Sequence, residues 1–482
     1  MSDTATHNMA QASATSDVGP GYGSMASALR SDTAVLAAML GALGVLYFGP
    51  GMLAVLVGGA AFFALTLYRP QLSLAMVPVA APLFYRPRVI TSSYYFSLGE
   101  IIIVCGVGAW ILRDGWTLLR TRKLPNIASL LRDPFVMLAV ALGIIGTLWL
   151  LVPPDAEHRK VALRDFRWTI IEPLLFFGMM LRWLRTERDI WRMVGAWLVA
   201  AALVGREGAQ QFFFGQTWSM EGVGRVTSIY PSATAFGIYL GRALPLALTL
   251  AVFLPRQWQR WRIAAALLSV SMALGVVFSF ARGAWIGVFV AMLAVALLTR
   301  DRRLLAAIGV GIVGGLAALP FIKIERITSM FNFTTPDNTG VSRLKIWTAA
   351  LRVLRDHPLT GIGQDQFLYV DPKYEVPHVR FLTVSHPHNW VLDFWLRLGL
   401  PGLAWLVAAL SLFTWHALRL WKAHKDTALG ALILGLIASM IDFAVHGLMD
   451  MAYFTMDLAL TFWLTVGLLA IVERVTHGEG EI

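Results

Sequence analysis

Two histidines and an asparagine stand close together in the sequence SHPHNWVLDFWLRLGLPG, residues 385–402. His386, His388 and Asn389 lie where a long polar segment meets an apolar run of membrane-crossing length. A neutral imidazole at this place can accept a proton from a hydroxyl group, because histidine titrates near neutrality. Asn389 can cap a helix whose positive end and free amides attract an anion. We predict that His388 is a general base; an ordinary interfacial polar role is the alternative, and it is favoured for His386.

Arginines predicted to lie on the same side of the membrane are candidates for anion binding. Arg282, in SFARGAW, falls in a short external turn, where the positive-inside rule makes a lone arginine uncommon. Arg343, in SRLKIW, begins a segment with helical periodicity. A guanidinium matches phosphate oxygens with paired donors, so we predict that both bind phosphate. The alternatives are contact with lipid head groups for Arg282 and a solvated helix face for Arg343. Less specific candidates for donor or acceptor contacts are Arg225, Arg242 and Arg380.

Other ionisable residues lie within the apolar runs. Glu172, Asp442, His446 and Asp450 are predicted to bridge helices by hydrogen bonds rather than to take part in catalysis. The predicted outer loops contain no Asp-x-Asp run, and the outward histidine pair alone is a weak ligand set. A GxxxxGKS phosphate loop is also absent, which argues against ATP-driven work. We therefore predict no metal and no cofactor.

The composition is that of a membrane protein. The chain has 482 residues, of which 57% are hydrophobic and only 14% charged, against roughly 25% charged in soluble domains. The net charge of +11 comes from Lys and Arg in short loops between apolar runs, where the positive-inside rule expects them, so nucleic-acid binding is not predicted. The single cysteine, Cys105, excludes an intramolecular disulfide.

The elements that must position these residues are membrane helices. The apolar runs predict an all-α integral membrane bundle of about 12–14 transmembrane helices. Basic loops alternate along the chain, which places both termini in the cytoplasm and the residues named above on the outer side. The predicted organisation is a disordered cytoplasmic tail (1–32), a bundle of about 11 helices (33–320), an outer loop with the catalytic segment (321–390), the last three transmembrane helices (391–472) and a second cytoplasmic tail (473–482).

The outer loop is long enough to be functional rather than a mere link. Residues 342–356 repeat apolar side chains, among them Leu344 and Leu351, at helical spacing. This pattern predicts an amphipathic helix along the outer membrane surface. Pro358 ends it, and Gly361 and Gly363 permit a tight turn.

The spacing of His388, Asn389, nine residues, Gly399, two residues and Gly402 resembles the signature of the bacterial O-antigen ligase family, which includes Wzy-type polymerases. The resemblance continues upstream through SFARGAW and SRLKIWTAALRVLRDHPLTGIGQDQF. In pattern it covers roughly residues 225–467, and the combination of motifs is more specific than any one of them.

The resemblance implies a GT-C-like, inverting, metal-independent glycosyltransferase of the bacterial inner membrane. Its donor would be a glycan on undecaprenyl diphosphate at the periplasmic face, and its acceptor a hydroxyl of lipid A core, of another lipid-linked glycan or of a protein. The family's catalytic histidine falls on His388, and its two diphosphate-binding arginines fall on Arg282 and Arg343. About fourteen predicted crossings exceed the twelve associated with lipopolysaccharide ligases.

The sequence is compatible with three classes of function. A ligase and a Wzy-type polymerase differ only in the acceptor, which no residue identifies. A transporter or flippase for lipid-linked glycans shares the hydropathy and the cationic residues, but it is expected to have inverted repeats and charges along a mid-membrane path. A purely structural membrane protein is the last alternative.

Overall fold

The computed structural model describes residues 21–91, 94–122, 132–220, 223–318, 339–374 and 385–478. Most of these residues are helical, and the strands in them form two small antiparallel hairpins. The helices in chain order are α1 (Gly21–Phe48), α2 (Gly51–Tyr68), α3 (Pro70–Leu74), α4 (Met76–Ala80), α5 (Leu98–Thr121), α6 (Pro134–Trp149), α7 (Ala156–Phe166), α8 (Glu172–Trp183), α9 (Glu187–Phe213), α10 (Ala233–Phe253), α11 (Gln259–Ser279), α12 (Arg282–Thr299), α13 (Arg302–Ala318), α14 (Thr339–Asp356), α15 (Trp390–Ala423), α16 (Ala428–Gly447) and α17 (Met456–Thr476). The hairpins pair β1 (Arg88–Thr91) with β2 (Tyr94–Phe96) and β3 (Trp218–Met220) with β4 (Val223–Arg225).

Eight helices in the described part of the chain are long and apolar enough to cross a membrane. They are α2, α5, α10, α11 with its preceding turn, α12, α15, α16 and α17. Shorter apolar helices occupy Asp32–Phe48, Pro70–Tyr85 and Pro134–Trp149. The predicted all-α, multi-pass membrane class is confirmed. The number of about 12–14 crossings stays a prediction.

The first helix begins earlier than the sequence predicted. Residues 1–32 were expected to be a disordered tail, but α1 starts at Gly21, while residues 1–20 lie outside the described part. Alanine, leucine and methionine before residue 32 favour helix, so the helix extends beyond the apolar run. Asp32 is buried and pairs with Arg69 at 3.1 Å and with Arg192, so its charge is compensated within the bundle.

Three helices form the centre of the bundle. α10, α16 and α17 are largely buried, whereas α2 and α5 leave most of their surface exposed. The start of α12 approaches the end of α16 so closely that a Cβ atom added at Gly283 would lie 2.5 Å from Cδ2 of His446. The last turn of α16 is thereby held beside the first turn of α12, which carries Arg282.

The first of the three transmembrane helices predicted over residues 391–472 is not one continuous helix. α15 is interrupted at Gly399, which has φ +64° and ψ −165°, and Pro401 provides no backbone N–H to continue the ladder. Leu400 instead donates its N–H to the carbonyl of Leu359 at 3.0 Å. A side chain at Gly399 would lie 2.2 Å from that same carbonyl oxygen, so only glycine fits.

The outer segment is fixed to α15 at this break. Ile362 donates its N–H to the carbonyl of Leu396 at 2.8 Å, and this bond together with the one from residue 400 to residue 359 is called the clasp below. α14 covers residues 342–356 as predicted, but it has two apolar faces. Its buried stripe is Ile346, Ala350 and Val353, which packs towards α15. Leu344 and Leu351, which the sequence placed on the apolar face, are 50% and 53% exposed and are available to a membrane surface.

Candidate functional site

His388 forms a hydrogen-bonded pair with Asp450. Its Nδ1 lies 2.9 Å from Oδ1 of Asp450. Because a carboxylate only accepts hydrogen bonds, Nδ1 carries the proton, and Nε2 keeps a lone pair. The side chain of His388 is 30% exposed, whereas that of Asp450 is 8% exposed. The pair therefore joins a partly exposed imidazole to a buried carboxylate.

Asp450 lies in the connection between α16 and α17 and is held from several sides. The N–H of Met451 donates to Oδ1 at 2.8 Å, and Nη2 of Arg343 is 3.1 Å from Oδ2. Burial alone would raise the pKa of Asp450, but the hydrogen bonds of His386 and His388 outweigh it and hold that pKa well below its usual range. One ionised carboxylate thus orients both the predicted base and a predicted phosphate-binding arginine.

Asn389 connects the two chain segments that meet here. Its Oδ1 accepts the N–H groups of Val391 at 3.0 Å and Leu392 at 3.2 Å, so it caps α15 as predicted. Its Nδ2 donates to the carbonyl of Leu448 at 3.1 Å. Because residue 448 follows α16 directly, this bond holds His388 near the connection that carries Asp450.

The backbone around His388 is also constrained. His388 has φ +51°, a left-handed conformation that is uncommon for residues other than glycine. The preceding carbonyl, of Pro387, accepts the indole N–H of Trp347 at 2.9 Å. Trp347 belongs to α14, as does Arg343, so this helix supports the histidine segment from the outer side.

His386 lies closer to the centre than the sequence suggested. Its Nε2 is 3.5 Å from Oδ1 of Asp450, and its ring centroid is 4.3 Å from that of His388. Its Nδ1 lies 3.1 Å from Oγ of Ser385. The ligand-type atoms of His386, His388 and Asp450 all lie within 4.8 Å of one another. The sequence predicted no metal site because it offered two histidines alone; the fold adds a carboxylate.

Arg282 is the first residue of α12. The residue before it, Ala281, has a methyl side chain and makes no side-chain cap to the helix. The neighbouring Gly283 contacts the ring of His446, which stands four residues before Asp450. The fold thus brings the start of α12 to the end of the bundle that carries the His388–Asp450 pair.

The less specific candidates are not gathered at this pair. Arg225, in β4, donates from Nε to the carbonyl of Ser279 at 2.9 Å and so lies near the α11–α12 turn. Arg242 is 2% exposed inside the bundle; it donates to the carbonyl of Leu458 at 2.9 Å and to the carbonyl of Ala452. Arg380 lies outside the residues that the structure describes.

The predicted helix-bridging residues behave differently from one another. Glu172 pairs with Arg167, with Oε1 3.5 Å from Nε. The prediction is wrong for Asp442 and His446, whose side chains have no hydrogen-bond partner among the described residues. They pack instead against α12, where a side chain at Gly287 would lie 2.2 Å from Oδ1 of Asp442. Close packing of small residues, rather than polar bridging, joins these two helices.

Asp450 was predicted to bridge elements by hydrogen bonds, and it does bond to His388 and to Arg343 on α14. Sequence reasoning did not foresee its pairing with the candidate base, and it overlooked Trp347 and Ser385 as supports of the histidines. A signal for Asp450 was available, since a carboxylate at the outer end of an apolar run is costly without a partner. No comparable signal marked Trp347, because an indole on an amphipathic helix is ordinary.

A family model described as O-Antigen ligase matches residues 265–407. The matched range contains Arg282, Arg343, His386, His388 and Asn389 and ends before Asp450. A search of curated proteins finds no match to the chain. The family resemblance inferred from the motifs is thereby confirmed over this range.

Proposed function

We propose that this chain, whose residues 265–407 match a family model described as O-Antigen ligase, is a glycosyltransferase that moves a glycan from undecaprenyl diphosphate to a hydroxyl acceptor. The observation that carries the proposal is one carboxylate with two partners. Oδ1 of Asp450 meets Nδ1 of His388, and Oδ2 meets the guanidinium of Arg343. A base for the acceptor and a cation for the donor are thereby held side by side.

His388 acts as the base through Nε2. Asp450 fixes the tautomer that leaves this nitrogen unprotonated, and it stabilises the imidazolium that forms when the acceptor hydroxyl gives up its proton. The acceptor oxygen bonds to the anomeric carbon while the bond from that carbon to the diphosphate breaks on the opposite face. The product is inverted, the proton stays on His388 until solvent removes it, and the diphosphate leaves on its lipid.

Arg282 and Arg343 bind the diphosphate. The pair with Asp450 uses one nitrogen of Arg343, which leaves further N–H groups of its guanidinium for phosphate oxygens. At Arg282 the side chain acts together with the uncapped start of α12, where backbone N–H groups and the helix dipole favour an anion. Because diphosphate is already a good leaving group, charge stabilisation of this kind suffices, and the proposed reaction requires no metal.

The reaction takes place at the outer face of the bacterial inner membrane, with both chain termini in the cytoplasm. The alternation of basic loops supports this orientation, as does the exposed Leu344 and Leu351 face of α14 beside the site. Arg225, Arg242, Arg380, His386 and Asn389 stay as proposed further contacts of donor or acceptor.

The acceptor distinguishes a ligase from a polymerase, and one assay separates them. Purified protein in lipid or detergent is given an undecaprenyl-diphosphate glycan alone, and the products are separated on a gel. A ladder of longer lipid-linked chains identifies a polymerase. A product that forms only when lipid A core is added identifies a ligase.

The variant His388→Ala tests the proposal in the same assay, with His357→Ala as the matched control. His357 is an exposed histidine on the outer segment, directly after α14. Turnover is expected to be lost in the first variant and retained in the second, with both eluting as folded protein. Turnover in His388→Ala would remove the base from the mechanism, and glycan movement across vesicles without transfer would favour a transporter.

A further inference from the structure

We propose that His386, His388 and Asp450 form an inhibitory site for a divalent transition-metal ion, for which Zn²⁺ is the model. The inhibition rests on the proposed role of His388 as the base, whereas the binding itself does not. The three side chains offer two imidazole nitrogens and one carboxylate oxygen, which is a ligand set that Zn²⁺ accepts.

The distances between the ligand atoms suit a tetrahedral ion. Nδ1 of His388 lies 2.9 Å from Oδ1 of Asp450, and Nε2 of His386 lies 3.5 Å from the same oxygen. In a tetrahedral site with bonds near 2.0–2.1 Å, neighbouring ligand atoms are roughly 3.3 Å apart. These two separations lie on either side of this value, and all three ligand atoms lie within 4.8 Å of one another, so small side-chain rotations place an ion between the three groups.

The ligands are also held in place before any ion arrives. Pro387 stands between the two histidines, and its carbonyl is fixed by the indole of Trp347 at 2.9 Å. The other ring nitrogen of His386 has Oγ of Ser385 at 3.1 Å, the kind of outer contact that orients a metal-binding histidine. Binding therefore orders little that is not already ordered.

Arg343 sets the strength of the site. Its Nη2 is 3.1 Å from Oδ2 of Asp450, so an ion on Oδ1 must share the carboxylate with a guanidinium. Repulsion between the guanidinium and the ion weakens binding of the ion. Three protein ligands leave one of the four coordination positions open to water. These features favour reversible regulation over a permanent structural metal.

Metal binding removes the base without displacing it. An ion on Nδ1 of His388 takes the place of the proton there, and the neutral ring then carries that proton on Nε2. No proton is gained or lost overall, but the lone pair that accepts the acceptor's proton is gone. Zn²⁺ is therefore expected to stop transfer while the donor diphosphate still binds.

Cobalt(II) reports binding directly, because its visible absorption reveals a four-coordinate nitrogen and oxygen site. Protein purified without a histidine tag is titrated with Co²⁺ as the unaltered chain, as His386→Gln and as the matched control His357→Gln. The absorption band and its displacement by Zn²⁺ are expected in the unaltered chain and the control. In His386→Gln the affinity is expected to fall by about tenfold or more, because one of three ligands is lost.

The Zn²⁺ concentration that halves transfer, measured against each variant's own metal-free rate, is expected to rise in parallel. An equal Co²⁺ affinity in His386→Gln, or no band in the unaltered chain, would overturn the metal site and leave the proposed function intact. Loss of turnover in chelator with recovery on adding Zn²⁺ would overturn the inhibitory role and the metal-free mechanism together. Binding of Zn²⁺ without inhibition would contradict the consequence for His388.

Discussion

Two groups of polar side chains in the described part of the molecule differ in how their charges are satisfied. The outer cluster consists of His386, His388, Asp450 and Arg343, and both carboxylate oxygens of Asp450 have partners there. The inner layer, one or more turns deeper, consists of Arg242, Asp442 and His446. These residues are 2%, 0% and 1% exposed, and Asp442 and His446 have no hydrogen-bond partner among the described residues.

The difference separates chemistry from architecture. In the outer cluster, each group is oriented by another and one ring is reachable from outside, which is what a proton transfer requires. In the inner layer, Arg242 is fixed by two backbone carbonyls and the hydroxyl of Thr461, whereas the buried carboxyl of Asp442 has no hydrogen-bond partner among the described residues. An ionisable residue inside a membrane bundle is therefore not by itself a sign of catalysis; its access and its partners decide.

The largest effect is expected when the outer cluster loses its carboxylate. Asp450→Asn keeps the size of the side chain but removes the charge that fixes the His388 tautomer and stabilises the imidazolium. Transfer is expected to slow by about 10²–10⁴-fold, the usual range for a general base. Initial rates on a lipid-linked donor measure this, with Asp371→Asn, an exposed acid of the outer segment, as the control. A rate within a few fold of that of the unaltered chain would contradict the proposed role of Asp450 in orienting His388.

A smaller effect is expected when either proposed donor-binding arginine becomes lysine. Arg282→Lys and Arg343→Lys retain a positive charge but cannot offer paired donors to phosphate oxygens. The KM for the lipid-linked donor is expected to rise by about 10–100-fold, equivalent to about 1.4–2.8 kcal/mol. Arg355→Lys, on an exposed position of α14, serves as the control. An unchanged KM in Arg282→Lys would support contact with lipid head groups instead.

The smallest effect on turnover is expected in the inner layer. Asp442→Asn keeps the size of a buried side chain that has no hydrogen-bond partner among the described residues, so the thermal unfolding midpoint in detergent is expected to change by the equivalent of about 1 kcal/mol or less. The rate per folded molecule is expected to stay within about twofold, because no described contact of Asp442 reaches the outer cluster. A large loss of rate with unchanged stability would instead indicate that the inner layer and the outer cluster act together in transfer.

The sequence located most of the outer cluster but not its centre. His386, His388 and Arg343 were singled out from residue type and motif spacing. Asp450 was predicted only to bridge helices. Its pairing with His388 was missed because the two residues lie 62 positions apart in different connections, and no periodic sequence pattern links two such connections. The same limit applies to Arg242, whose depth was predicted. Its partners are the carbonyls of Leu458 and Ala452 and the hydroxyl of Thr461, which lie 216, 210 and 219 positions away in the sequence.

Fold class followed directly from hydropathy, whereas helix ends and breaks did not. The start of α1 at Gly21 depends on helix propensity outside the apolar run. Gly399 and Pro401 are residue types that favour a break in α15, but the apolar run around them is long enough to cross a membrane and so predicted a continuous helix. Hydropathy predicts which segments contact lipid, but it does not predict where the backbone changes direction.

The clasp between the outer segment and α15 has a consequence for which sequence changes this joint tolerates. It consists of backbone groups of residues 359, 362, 396 and 400, so its two hydrogen bonds place no demand on side-chain identity apart from the glycines that allow the close approach. Substitutions at these four residues are therefore expected to leave both backbone hydrogen bonds in register, provided that Gly361 and Gly399 are kept.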